Sequence, residues 1–342
     1  MKEQNKIIIS FDYEIYFDGS NNYESLLSNT EKILITAKKT QSKLVFFVDI
    51  MYLIQLKKHQ HSEIYNRIES QINDMIQDGH EVQFHFHPHW IHARFDEVDK
   101  KWIFDSSEYS FSDIIEKYGL EYAKQQFNDA YQFLNQQFKL KSNAFRAGGL
   151  SIDQSQNELI ELLKFNKIQY DSSVMPGLKL KGKYIDINHK KAPLSAYWTV
   201  ENSFLNASQN GHLIEVPLMS INPDKINKIK RIWTSVQYRW VTFVNRKNYY
   251  TKAEPRQIID LKITESDYPR NITFDKSRTR DLILLKFFTK EFLKEDKQLM
   301  CILSHPKSFI HPSFDVFENY LKWINNHSSE YKIVGFNDLK LI

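Results

Sequence analysis

Gly79-His80-Glu81-Val82-Gln83-Phe84-His85-Phe86-His87-Pro88-His89-Trp90 carries four of the twelve histidines in one short stretch. A neutral imidazole is the commonest protein ligand for zinc and similar divalent ions. Three histidines at alternate positions therefore read as a metal site. Glu81 to Phe84 alternates polar and apolar residues, the pattern of a half-buried strand. Residues i, i+2 and i+4 of a strand share a face, which would align His85, His87 and His89 if the strand ran on. Pro88 lacks a ladder donor, so the strand is expected to end near His85, with His87 to Trp90 on the loop beyond it. A His-rich loop alone could be merely solvated. A second cluster, Asp12-Tyr13-Glu14, favours chemistry: it sets two carboxylates at i and i+2 where another apolar run ends.

These clusters need elements to position them. Lys6 to Phe11 reads as a buried parallel strand. Tyr23 to Lys39 has helical spacing, Leu44 to Val48 is a second strand, and Tyr52 to Gln77 is a second helical region closed by Asp78-Gly79. The histidine strand is then third in a β-α-β-α-β series. That order implies a parallel sheet or barrel with function at the C-terminal strand ends, where Asp12, Glu14 and the histidines fall. His92 to Ser112 reads as a long aromatic loop over the site, and Ser112 to Phe138 as a helix. Further strands are expected at Asn143–Arg146, Lys167–Tyr170, Leu213–Leu218, Leu299–Leu303 and Tyr331–Val334. Helices are expected from Ser151 to about Asn166, over Thr279–Lys294 and over Pro312–Asn325. Gly177 to Asn210 reads as irregular, and Asp224 to Arg256 as a basic, aromatic segment: a surface helix, or a contact for an anionic headgroup or membrane surface.

Composition narrows the class. The chain has 342 residues, 42% hydrophobic and 14% aromatic, enough for a large core. No repeat or linker appears, so 1–342 reads as one domain with an irregular insertion at about 177–256. The net charge of +4 is spread over 46 basic and 42 acidic residues and does not suggest nucleic acid. The single cysteine excludes an internal disulfide and a cysteine zinc site. No apolar run approaches the roughly 18 residues of a membrane helix, and the first residues are too polar for a signal peptide. A cytoplasmic location is expected, with peripheral contact at the inner face of the membrane compatible with the basic segment. Oligomeric state is not legible.

Asp12-Tyr13-Glu14, the Gly79-His80-Glu81…His85-x-x-x-His89 block, Phe145-Arg146-Ala147-Gly148-Gly149, Tyr170-Asp171-Ser172-Ser173 and Leu303-Ser304-His305-Pro306 occur in that order. Together with Phe46-Phe47-Val48, they resemble the polysaccharide deacetylase family (the NodB-homology fold, carbohydrate esterase family 4 and relatives) from about residue 6 to 335. The resemblance implies an α/β fold, a distorted, incomplete (β/α) barrel. It implies a bound divalent metal, zinc foremost among several transition metals that nitrogen and oxygen ligands accept. On this resemblance Glu14, His85 and His89 are the ligands and Asp12 is the base. Tyr13 stands where the commoner motif has a second aspartate, so the opposite assignment, Asp12 as ligand and Glu14 as base, stays open. Arg146 holds the base, His305 is the general acid, and Asp171 orients His305 or meets the sugar. Tyr13, His87, Trp90 and Gly148 are placed at the substrate.

The expected reaction is removal of an N-acetyl group from an N-acetylated sugar. A nucleotide- or lipid-linked precursor of bacterial surface polysaccharide (O-antigen or capsule), with a diphosphate linkage, is the expected substrate. Rival readings are another hydrolase on a related barrel (a deformylase, other amidohydrolase or glycoside hydrolase) and an inactive carbohydrate-binding member.

Overall fold

The computed structural model describes residues 4–17, 23–152, 155–220, 236, 261–269, 271–294 and 298–341. Nearly all of the basic segment 224–256 lies outside them. The first strand, β1 (Asn5–Tyr13), is the apolar run Ile7-Ile8-Ile9 continued into Phe11. It is flanked by β2 (Val45–Asp49) and β13 (Leu299–Ser304), both parallel to it. Next come β3 (Glu81–Phe86), β6 (Ala144–Ala147), β7 (Tyr170–Asp171) and β11 (Leu213–Glu215), all parallel, and then β10 (Trp198–Val200), antiparallel at the edge. β14 (Tyr331–Ile333) pairs with the start of β1. Beyond β11, Leu218 bridges to Cys301 of β13, so the two ends of the sheet curl toward each other. This is the distorted, incomplete barrel that the family resemblance implied.

Packing explains the closure. Ile8, Val45, Phe47, Ile214, Cys301 and Phe336 fill the barrel interior. A larger cluster lies between the sheet's outer face and the helices, where Ile33, Ile68, Phe127 and Phe317 belong to α1 (Tyr23–Lys39), α3 (Ser62–Gln77), α5 (Leu120–Gln137) and the helix His311–Asn326. Both faces of the sheet are therefore apolar, as parallel strands require.

Two expected helices are each divided. Tyr52–Gln77 becomes α2 (Ile50–Lys58) and α3, separated at Gln60, whose φ of 59° no helix continues. Ser112–Phe138 becomes α4 (Phe111–Tyr118) and α5, broken by Gly119 at φ 87°. The loop after the histidines contains a hairpin, β4 (Arg94–Asp96) with β5 (Lys101–Ile103). The stretch expected to be irregular forms β8 (Lys179–Gly182) and β9 (Asp186–Asn188), joined by β12 (Ile263–Asp267) in a small antiparallel sheet.

His80 is a core histidine rather than a site residue. Its Nδ1 accepts from the Leu44 N–H at 3.2 Å, and burial pulls its value down to about 4. The unfolded chain therefore binds a proton near pH 6.5 that the folded chain refuses, so His80 costs stability as pH falls from about 6.5 to 4. Glutamine keeps an acceptor there but does not titrate. Between pH 7 and 4.5, urea unfolding should show the stability difference moving by about 2 kcal/mol in favour of His80→Gln. A pH-independent difference would refute the buried neutral imidazole.

Candidate active site

Register brings the site together. Asp49, His85 and Arg146 are paired across β2, β3 and β6, and Asp12 is level with Phe47, two residues lower on β2. Side chains alternate along a strand, so these residues share the inner face. Arg146 lies over the Phe47 ring, its Cζ 3.9 Å from the ring centroid, and donates to Asp12 Oδ1 at 2.6 Å. Its Nε donates to the Ser172 carbonyl (2.8 Å) and its Nη2 to the hydroxyls of Ser10 and Ser172 (3.0 Å each). The guanidinium is fully buried. An Arg fork engaged at all three nitrogens in this way fixes the carboxylate geometrically as well as electrically.

Asp12 Oδ2 is turned the other way, 3.7 Å from His85 Nε2 and 3.8 Å from His305 Nε2. Glu14 Oε2 lies 3.2 Å from His85 Nε2 and 2.6 Å from His87 Nε2, and the two nitrogens are 3.1 Å apart. Three buried ligand atoms thus converge on one small triangle, Glu14-His85-His87. Their chemistry fits a divalent ion. His85 Nδ1 donates to the Arg146 carbonyl at 2.8 Å, which leaves the Nε2 lone pair directed at the triangle, the usual outer contact of a ligating histidine. Two imidazole nitrogens so close cannot both carry protons without repulsion, and a shared cation satisfies both along with the carboxylate. Burial would raise Glu14, but first the Lys307 ammonium and then the imidazoles of His87 and His85 beside it outweigh that and hold the carboxyl well below its usual range.

The group of candidate ligands in the structure contains His87, where the family resemblance implied His89. His87 keeps extended geometry (φ −110°, ψ 104°), so it stays on the face of His85 two residues on. Only after it does Pro88 turn the chain into a short 3₁₀ segment, and that turn carries His89 out of line. His89 packs against Phe17 (4.5 Å between ring centroids) and Phe104 (5.0 Å). Its two nitrogens are buried without a partner among the described residues. Burial, then the neighbouring His87, pushes its value well down.

Three of the four residues placed at the substrate are core residues, and the fourth, His87, is in the triangle rather than at the mouth. Tyr13 alternates to the outer face of β1, where it donates to Gln71 of α3 at 2.9 Å. Trp90 is fully buried among Tyr52, Trp102 and Phe104. Gly148 is buried behind His87, and a Cβ there would fall 2.3 Å from His87 Nδ1, so the glycine makes room for that ring.

Asp171 does not orient His305. It accepts from Ser173 N (2.9 Å) and Oγ (2.8 Å) and lies in register with Glu215. Burial raises both carboxyls, Glu215 the more strongly, as befits adjacent acids that cannot both ionise. The partner of His305 is Asp275, which accepts from its Nδ1 at 2.6 Å and its backbone N–H at 2.7 Å. Burial lowers His305, but Asp275 first and then Asp12 and Glu14 more than compensate, so its value is raised. Asp275→Asn is therefore expected to lower kcat about tenfold and to shift the alkaline limb of the pH profile, where His305 loses its proton, to lower pH. An unchanged pH profile would refute the pairing.

Sequence reasoning also missed Asp49 and Lys307. Asp49 accepts from the Trp90 indole N–H at 2.7 Å; its other oxygen is buried without a partner among the described residues, and burial raises it to about 6. Lys307 donates to Glu14 Oε1 at 2.6 Å. Its position two residues after His305 was the one available signal. Asp275 lies in a segment with no periodic pattern.

No protein-family profile and no curated protein sequence matches the chain. Solved structures do resemble it. A protein assigned as a polysaccharide deacetylase from Mycobacterium smegmatis superposes with a TM-score of 0.52 and 11% identity, over 98% of this chain and 90% of that one. The α-amylase AmyC of Thermotoga maritima gives 0.51 and 11%, over 99% of this chain and 76% of that one. The 4-α-glucanotransferase of Thermococcus litoralis gives 0.51 and 7%, over 98% of this chain, which spans only 40% of that enzyme. The fold is thus shared by a deacetylase-type protein and by glucan-processing enzymes, and the site has to choose between them. No helix among the described residues is long and apolar enough to cross a membrane.

Proposed function

We propose that the protein is a metal-dependent hydrolase that removes the acetyl group from an N-acetylated sugar. The observation that carries this reading is the buried triangle of Glu14 Oε2, His85 Nε2 and His87 Nε2, set between a clamped aspartate and a carboxylate-backed histidine. A divalent ion held by those three atoms supplies Lewis-acid polarisation of the amide carbonyl and a water of lowered pKa. The protein's own groups do the rest. Asp12, fixed through Oδ1 by Arg146, presents Oδ2 as the acceptor of the water proton. His305, backed by Asp275 and raised by it, delivers a proton to the departing amine, which leaves poorly as an amide anion. Asp12 Oδ2 and His305 Nε2 are 3.8 Å apart, so acceptor and donor face one reacting centre.

A glycosidase that uses Asp12 and Glu14 as its carboxylate pair suits the fold but not those two residues. Such an enzyme needs one acid of raised pKa to protonate the leaving oxygen. Here Glu14 is held well below its usual range and Asp12 is bound to Arg146. The finer substrate, a nucleotide- or lipid-linked precursor of bacterial surface polysaccharide handled in the cytoplasm or at the inner membrane face, draws on the basic aromatic character of 224–256. The test is acetate release from N-acetylated nucleotide sugars and N-acetylated oligosaccharides, before and after chelation. Acetate that appears with metal, disappears on its removal and returns on reconstitution supports the proposal. Reducing ends without acetate would favour a glycosidase, formate a deformylase, and sugar binding without any product an inactive binder.

A further inference from the structure

Lys307 is a lysine inside the proposed metal centre, and nothing in the reaction described above uses it. It follows Pro306 in the short turn after β13, with its side chain 8% exposed. Its Nζ donates to Glu14 Oε1 at 2.6 Å and to the Ile15 carbonyl at 2.9 Å. Tyr16 and Phe17 cover the ammonium, their ring centroids 5.1 and 4.8 Å away. The Tyr16 hydroxyl donates to the Lys307 carbonyl at 2.6 Å, which ties the turn to the segment after β1. The two oxygens of Glu14 are thereby divided. Oε2 faces His85 and His87, and Oε1 faces Lys307, with His305 Nε2 3.7 Å away.

We infer that Lys307 is a positioning residue that restricts Glu14 to a single ligating oxygen and offsets its charge. This rests on the metal-dependent reading of the site. A carboxylate free on both oxygens can grip a cation with both and so occupy a position that attacking water or the substrate carbonyl needs. An ammonium on one oxygen prevents that. It also repels the cation, because like charges interact strongly where water is excluded. The site therefore gives up metal affinity in exchange for an open ligand position. A merely structural lysine predicts the opposite, since its loss would loosen Glu14 and weaken metal binding.

The experiment is metal affinity, read by competition of Zn²⁺ with a chromogenic chelator, together with kcat, for wild type, Lys307→Met, Lys307→Gln and Lys307→Arg. Circular dichroism checks that each variant is folded. Both neutral variants are expected to hold Zn²⁺ about tenfold more tightly, from the removed repulsion, while kcat falls at least about tenfold. Glutamine is uncharged and one bond too short to reach Glu14 Oε1 as the ammonium does, so it serves as the neutral variant if the methionine variant does not fold. Lys307→Arg keeps the charge and should retain wild-type Zn²⁺ affinity. Folded neutral variants that bind Zn²⁺ equally or more weakly, or that turn over at the wild-type rate, overturn the inference. Wild-type protein that binds no Zn²⁺ overturns the metal-dependent reading instead.

Discussion

His87→Ala is expected to purify without bound metal and to lose at least about 10³ in kcat/KM, whereas His89→Ala keeps one equivalent of metal. The contrast follows from the backbone. His87 continues the extended geometry of β3, and its Nε2 lies 2.6 Å from Glu14 and 3.1 Å from His85 Nε2. His89 is carried past the triangle by the turn at Pro88 and sits among Phe17, Trp90 and Phe104. Its truncation opens a cavity in an aromatic cluster, so its cost is stability, about 2–4 kcal/mol by analogy with other buried large-to-small changes. Elemental analysis of the two purified variants decides the matter. Metal lost in His89→Ala and retained in His87→Ala would restore the spacing of four residues expected from the family resemblance. Metal retained in both would remove the triangle as a binding site.

Asp12→Asn should retain metal and lose about 10³ in kcat. Asparagine keeps the shape and still offers an oxygen to Arg146, but it cannot take a proton from water. The charge of Arg146 is then left buried and unpaired, and breaking a buried pair in this way costs about 3–5 kcal/mol. The variant should therefore also unfold at lower denaturant, and activity must be measured where it remains folded. Its metal content settles which carboxylate does what. If Asp12→Asn loses its metal while Glu14→Gln keeps it, the ligand and base exchange roles. Activity within tenfold of wild type would remove Asp12 from the chemistry altogether. In the structure Asp12 Oδ1 is committed to Arg146 and Glu14 Oε2 to the two histidines, the division of labour these measurements probe.

Much of this molecule is written locally. The β-α-β-α-β order, the parallel sheet and the crowding of polar residues at strand ends all follow from apolar runs of strand length alternating with helical spacing. These features depend on burial along short stretches, which a sequence displays directly. Tyr23–Lys39 forms α1 as its spacing predicts, while Gln60 and Gly119 divide helices that periodicity alone runs together. Asp12, Glu14, His85, Arg146 and His305 lie near strand ends, and it is the resemblance of their ordered motifs to a known family that makes them recognisable as a set. The direction in which each side chain points is another matter. Tyr13 differs from Asp12 by one residue and faces the helices instead of the site, because a strand alternates. His89 differs from His87 by two residues and leaves the triangle, because Pro88 ends the alternation between them. Asp275 and Lys307 act on residues 30 and 293 positions away. Contacts across such separations arise only when distant strand ends are folded onto one face, and no local pattern encodes them. The sequence by itself determined the barrel and the inventory of reactive groups. The tertiary structure decided which imidazoles meet Glu14, which carboxylate backs His305, and that a buried ammonium shares the centre, because those outcomes depend on register and turn geometry between segments far apart in the chain.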